Sequence, residues 1–359
     1  MKRLLFIIPI FLLFFTWSCS EDYTIIEPEK KLIVSVSNSF TLINNEVIFT
    51  ARLVGNNEED IDVTNECTFL VNSNEINGNI FSSSQTGEFT VKALLNQKES
   101  QGVVFTYHDG SEVNFKKNVL IEDFTGTWCG WCARVAHAIE LIDGQTDDAI
   151  AVGIHRGSLS QIAIDYDPYN YDSSVLEDLL VNNFGFNTGY PKAGLNRTTL
   201  WNNPEPDNLE QVLTLTQGAN PKLGLSMNSN LSGNTISLDV NVKFSNDFNG
   251  LKLVVYVVEN GLVHYQKNYT SYYNSVNPIP DFVHNHVLRD CKTDILGDAI
   301  SNSETFSGNT YSRNFSFDVP SNVENVNEIE FVAFIVNGNG ATLNVRKAHL
   351  NDNQDFEEL

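Results

Sequence analysis

Two cysteines carry the clearest chemistry in this chain. Cys129 and Cys132 close the stretch Glu122-Asp-Phe-Thr-Gly-Thr-Trp-Cys-Gly-Trp-Cys132. Asn118 to Phe124 reads as an apolar strand, while Val135, Ala138, Ile139 and Ile142 recur with the spacing of one helix face. Such a junction delivers Cys129 to a helix N-terminus, where unpaired amides and the helix dipole favour thiolate over thiol. The thiolate is the attacking species in disulfide exchange, so Cys129 is expected to be the nucleophile. Cys132 lies one turn on, on the same face, and is expected to attack the mixed disulfide and release the partner. Gly130 is expected to let the backbone turn tightly, and Trp131 brings no charge that would drive a thiol pKa far. Asp123 is the third chemical residue. A charged side chain in an apolar strand is costly unless it is used, and burial raises a carboxyl pKa towards neutrality, where it suits acid–base work. The alternative is a partly exposed carboxylate at a strand end. Glu122 should point to the opposite face and is the second candidate.

From Asp123-Phe124 to Trp128-Cys129-Gly130-x-Cys132 the chain resembles the thioredoxin active-site segment. The resemblance implies that Asp123 lies beneath the pair and relays a proton to and from Cys132. It also implies a cis-proline whose preceding carbonyl pairs with the partner's backbone. Gly189-Tyr190-Pro191, ahead of Ala193-Gly-Leu195, is similar to that loop, with Pro168 as the competitor. Proline is the residue for which a cis bond is cheap. Trp128, Trp131 and Tyr190 are then expected to meet the substrate, and residues 157–188 read as an insertion rich in aromatics and acids. No bound cofactor is expected.

A zinc half-site is the competing use of a close cysteine pair, but structural zinc usually takes four Cys or His ligands. The nearest second set is His284-Asn-His286 with Cys291, so no metal is assigned, and cross-strand pairing is the plainer role for those histidines. His155 and His137 read as surface histidines near the cysteines. Cys67 reads as a small buried apolar residue in a strand.

The elements that must hold this site follow from the rest of the chain. Met1-Lys2-Arg3, the apolar run Leu4 to Phe15 and Ser18-Cys19 form an export signal too short to span a bilayer as a stop-transfer helix. Cys19 resembles a bacterial lipoprotein cleavage site, which implies acylation there and attachment to a membrane through lipid. The expected divisions are 1–18 signal peptide, 19–30 anchored linker, 31–108 β-sandwich, 112–220 α/β domain, 221–350 β-sandwich and 351–359 acidic tail. Strands and turn clusters in 31–108 resemble bacterial Ig-like domains, carried by Asp62-Val-Thr-Asn and Gly87-Glu-Phe-Thr-Val-Lys-Ala93. Strand–helix alternation in 112–220, with helices over Ser173 to Asn182 and Asp207 to Gln217, predicts parallel pairing. After Pro221 the pattern is again β, and Asn260-Gly261 predicts a hairpin between Val258 and Leu262. The expected fold is thus multidomain, with an Ig-like sandwich, a central thioredoxin-like α/β domain and a C-terminal β-sandwich.

The 359-residue chain carries 22 basic and 45 acidic residues, a net charge of −23. That excess repels phosphate backbones and excludes general nucleic-acid binding. From Lys117 to His349 the chain resembles the 28-kDa outer-membrane-protein-related family of bacterial lipoproteins. The resemblance rests on the export cysteine, Thr127-Trp-Cys-Gly-Trp-Cys132, Tyr190-Pro191…Gly194-Leu-Asn-Arg197 and His284-Asn-His-Val-Leu-Arg289. It implies a cell-envelope, outer-membrane location. Two functions are open: a thiol–disulfide oxidoreductase, reductase or isomerase, acting on exported protein thiols and disulfides, or a surface binding or adhesion protein whose cysteine pair is static.

Overall fold

The computed structural model describes residues 30–55, 60–109, 113–171, 180–187 and 189–359. The expected export signal, Cys19 and nearly all of the tether lie outside those residues. So does most of the helix expected from Ser173, whose described part is helical over 180–184.

Residues 31–108 form two facing sheets, one four-stranded and one six-stranded. Side chains alternate faces along each strand. Val47, Phe49 and Ala51 are buried while Ile48 between them is exposed, and Val103, Phe105 and Tyr107 repeat the pattern. The inward residues of both sheets meet in one core around Phe49, Phe69 and Phe105. Cys67 is a half-buried free thiol that follows a single 3-10 turn and precedes the Thr68–Val71 strand.

Beyond residue 113 the architecture overturns the expected one. No separate central α/β domain forms, and no separate sandwich starts at residue 221. Val119–Thr125 and Ala149–His155 lie parallel, joined by helix α1 (Ala133–Asp143), and Lys192–Leu195 runs antiparallel on the other side. The same sheet continues through Val287–Cys291, Lys252–Glu259, Ile329–Val336 and Thr342–His349 into nine strands. The described chain is mostly strand, and α1 and α2 (Glu210–Thr216) are the α-helices described end to end. The reason lies in the core. Leu120, Phe124, Ile150 and Val152 share one cluster with Val254, Tyr256, Val332 and Phe334, so the two expected domains bury a common face. The opposite face is covered by α1 and α2 at one end. At the other end a three-stranded sheet covers it, formed by Leu223–Ser232, Thr235–Phe244 and Thr310–Asp318. Strands buried on both faces read as continuous apolar runs, as in Phe331 to Val336 of the Ile329–Val336 strand, which is buried at every position.

The seam between the halves is narrow. Gly153 pairs with Val287, and its N–H donates to the His286 carbonyl at 2.8 Å. The predicted hairpin at Asn260-Gly261 does not form: Lys252–Glu259 pairs inside the large sheet, whereas Leu262–Gln266 pairs with Ile279–His284 as a two-stranded arm. The turn itself is real, with Gly261 at φ 71°. It marks where the chain leaves the sheet. The acidic tail folds back, Glu358 bridging to Phe115 and the Leu359 N–H donating to the Asn114 carbonyl at 2.9 Å. Among the described residues no helix is long and apolar enough to cross a membrane.

Candidate functional site

The Val119–Thr125 strand is buried along its whole length and ends directly ahead of the cysteine loop. There the Cys129 N–H donates to the Gly126 carbonyl at 3.0 Å and the Cys132 N–H to the Cys129 carbonyl at 3.2 Å, which winds the chain into α1. Cys129 and Cys132 are joined as a disulfide at that helix start. The pair is recessed, Cys129 at 5% and Cys132 at 1% exposure, while Trp131 beside it is 51% exposed.

Cys132 and Asp123 line the same cavity, of about 70 Å³. Asp123 is buried, and its Oδ1 has no hydrogen-bond partner among the described residues. Burial drives its carboxyl well above the usual range, and the negative charge of Glu205 pushes the same way. Glu205 is itself buried and paired with Arg134 in the first turn of α1. Asp123 is therefore not a partly exposed strand-end carboxylate. Glu122 turns to the other face, and there it is fully engaged. Its carboxylate accepts from Arg197 Nη2 at 2.8 Å and from the Tyr256 hydroxyl at 2.8 Å, with all three side chains buried. That knot removes Glu122 as an acid–base candidate and ties the strand ahead of the cysteines to Lys252–Glu259.

The Tyr190–Pro191 bond is cis, and Pro168 is not among the cis prolines. Lys192 pairs with Phe124, which brings Pro191 beside the exit of the strand that leads into the cysteine loop. Trp128 and Tyr190 meet with ring centroids 5.5 Å apart, and the Trp128 indole N–H donates to the Arg156 carbonyl at 2.6 Å. Trp128 and Tyr190 are half-buried, so Trp131 is the most exposed of the three expected contact residues.

Sequence reasoning missed the arm. After its first strand, the chain from Gln266 to Tyr269 runs alongside the cysteine loop. The Lys267 and Tyr269 amides donate to the Thr127 and Gly130 carbonyls at 2.9 and 2.7 Å, and Gln266 Nε2 donates to the Cys129 carbonyl at 2.9 Å. Gly130 is needed here because a Cβ would run into the Tyr269 ring; its φ is not positive. The turn reading of Gly130 is corrected to one of packing. No spacing in the sequence announces this contact, because it joins segments far apart in the chain.

His155 also differs from expectation: it is 2% exposed, not a surface residue. Its Nδ1 lies 2.9 Å from Asp167 Oδ2. Asp167 is fully buried and accepts the Thr127 and Tyr169 amides at 2.8 Å each. Burial works against its charge, but His155 and these amides hold its carboxyl below the usual value. His137 is half-buried against Tyr272, with ring centroids 4.3 Å apart. His284 is buried and its pKa falls to about 3, through burial first and then neighbouring His155. His286 stands near Asp143 and Glu330, which raise its pKa against the effect of burial. Among the described residues no group of three or more His, Cys, Asp or Glu side chains is placed to hold a metal ion. Next to the site, Leu159, Ile162 and Ile164 stand at 64%, 97% and 99% exposure on a loop anchored where Thr127 Oγ1 donates to the Tyr166 carbonyl.

Residues 177–354 match the outer membrane protein Omp28 family. The match locates the chain at the cell envelope, in the outer membrane. It includes Pro191, Arg197 and the His284 arm but reaches neither Cys129 nor residues 31–108, so the Ig-like and thioredoxin-like labels gain no support from it. No match was found among curated proteins. HBP35 of Porphyromonas gingivalis is similar at 18% identity over 66% of this chain and 76% of its own, with a TM-score of 0.49. Protein AGR_C_4864 from Agrobacterium tumefaciens is similar at 16% identity over 66% of this chain and 96% of its own, with a TM-score of 0.41. At these scores neither likeness defines the fold.

Proposed function

We propose that this chain is an outer-membrane thiol–disulfide exchange protein acting on exported protein thiols and disulfides. The observation that carries the reading is the cavity shared by Cys132 and the buried acid Asp123, directly behind a disulfide at a helix start. In the reductive direction the Cys129 thiolate attacks a client disulfide, forming a mixed disulfide and releasing one client thiolate. Asp123 then takes the Cys132 proton. The Cys132 thiolate attacks Cys129 Sγ, breaks its bond to the client and expels the second client thiolate, which takes up a proton. The product is the Cys129–Cys132 disulfide, and a dithiol donor of the envelope must reduce it for the next turn. A client dithiol runs the same steps backwards.

Trp131, Trp128 and Tyr190 border the pair and are assigned to client contact. Acyl chains on Cys19, after the apolar run Leu4 to Phe15, are assigned as the membrane anchor. The decisive experiment is trapping. Cys132→Ser in cells is expected to accumulate client proteins joined to Cys129 by reducible bonds, while the double variant Cys129→Ser/Cys132→Ser accumulates none. Equal recovery from both variants overturns the reading. The potential of the couple then fixes direction, since about −270 mV marks a reductant and about −120 mV an oxidant. The exposed Ile162 and Ile164 favour a second reading, a surface binding protein with a static disulfide. It requires the double variant to keep full function.

A further inference from the structure

The arm brings side chains to the cysteine pair that the exchange steps above do not use. Asn268 is buried and braces the arm's own loop. Its side-chain nitrogen donates to the Tyr272 and Val276 carbonyls at 3.0 and 3.1 Å, and its oxygen accepts the Thr270 amide at 2.8 Å. Lys267, half-buried, and Tyr269, exposed, flank it. The Tyr269 ring packs over Gly130, next to Cys129, so closely that a Cβ there would lie 2.4 Å from it. Its centroid is 6.0 Å from that of Trp131, edge to face. Both rings stand open to water, at 48% and 51% exposure. Lys267 Nζ lies 5.0 Å from the Tyr269 centroid and makes no ion pair among the described residues. An unmatched cation beside the disulfide contrasts with the net charge of −23 on the chain.

We propose that Trp131, Tyr269 and Lys267 form a recognition platform for an extended client segment that carries an aromatic and an acidic side chain close to its cysteine. The inference rests on the exchange reading of the cysteine pair and names the client that this site prefers. Aromatic rings attract one another edge-on or offset, beyond the area they bury. A client ring laid on Trp131 and Tyr269 places the neighbouring client sulfur within reach of Cys129, while the client carboxylate meets Lys267. Charge selects this occupant, because the cation favours a partner with a carboxylate over a bare apolar surface. The platform is also fixed before the client arrives. The Lys267 and Tyr269 amides are bonded to the Thr127 and Gly130 carbonyls, so their side chains keep their register with Cys129. A preformed surface loses little conformational freedom on binding. Lys267 and Tyr269 touch no reacting sulfur, so their role is specificity.

The test uses the full chain in its reduced form and four peptides, each with one cysteine capped as the methyl disulfide. They differ only in carrying Phe or Ala on one side of the cysteine and Glu or Lys on the other. Exchange oxidises the Cys129–Cys132 dithiol and releases the peptide thiol and methanethiol, and chromatography follows the freed peptide. In the parent protein the Phe peptides are expected to react about tenfold faster than the Ala peptides. The Glu peptides are expected to react about threefold faster than the Lys peptides, a preference that fades in about 1 M salt. Ratios read within one protein cancel any change in the reactivity of Cys129 itself. Lys267→Glu is expected to invert the charge preference. Tyr269→Ala is expected to bring the Phe-to-Ala ratio close to one, and Tyr269→Phe to keep it. Equal rates for all four peptides in the parent, or an unchanged charge ratio in Lys267→Glu, overturn the platform. A parent dimer in sedimentation that Tyr269→Ala dissociates also overturns it, by giving the surface to a second copy. If Tyr269→Ala does not fold, Lys267→Glu decides. Release of no thiol from any peptide overturns the exchange reading instead, so the two failures are distinct.

Discussion

At the scale of single residues, Asp123 and His284 pull stability in opposite directions with pH. Asp123 has a folded-state pKa raised above its unfolded value near 3.9. Its neutral form is the one the fold prefers, so stability is lost as pH rises from the unfolded value through the folded one. Asp123→Asn is therefore expected to melt above the parent at about pH 8, with the gap closing towards about pH 4. The same variant should lose about a hundredfold in disulfide exchange, the usual scale of a positioned acid–base group. A thermal melt series and a stopped-flow exchange assay check the two halves. His284 is the reverse case. Its folded pKa of about 3 lies below the unfolded value near 6.5, so stability falls as pH drops between them, by up to about 1.4 kcal/mol per pH unit. His284→Gln should flatten that limb of the melting curve. Asp123 was legible in the sequence because a charge inside an apolar run has a local explanation or a chemical one. His155 was not, because its partner Asp167 sits in a loop twelve residues on, where no spacing signals the pairing.

At the scale of elements, two contacts hold the site that no local pattern encodes. The arm lies along the cysteine loop through the Lys267 and Tyr269 amides. Those amides are expected to exchange slowly with deuterium, and Gln266→Ala, which removes a buried bond to the Cys129 carbonyl, should raise their exchange about tenfold, roughly 1.4 kcal/mol of local opening. Exchange mass spectrometry across 262–284 reads it. The second contact is the Glu122–Arg197–Tyr256 knot. Arg197→Met leaves a buried carboxylate without its cation and is expected to cost about 3–5 kcal/mol, whereas Glu122→Leu with Arg197→Met should cost much less. Denaturant titration separates the two. The strand, the cysteine loop and α1 were readable from period and spacing. The partner of each strand was not, and the Asn260-Gly261 turn shows why: a turn signal fixes where the chain bends but not what lies beyond it.

At the scale of the whole molecule, the nine-stranded sheet draws strands from both expected domains, and residues 113–359 are expected to behave as one cooperative unit. The apolar faces of Leu120, Phe124, Ile150 and Val152 are covered by contacts that residues beyond 250 help supply. A fragment of residues 113–220 is thus expected to be insoluble or unfolded by circular dichroism, while 113–359 should unfold in a single transition. A fragment that folds alone would restore the division at residue 221 that the common core removes. Alternation of strand and helix told of a parallel pair but was silent on how far the sheet extends, because central strands look alike whichever neighbour covers them. The returning tail has its own corollary. With the Leu359 amide bonded to the Asn114 carbonyl and Glu358 bridged to Phe115, this body is nearly a ring. Residues near 113 and 359 could be joined by a short linker and the chain reopened at an exposed bend such as residues 338–340, leaving every strand with its present neighbours. The order in which the ribosome makes the pieces is then separable from the shape they adopt.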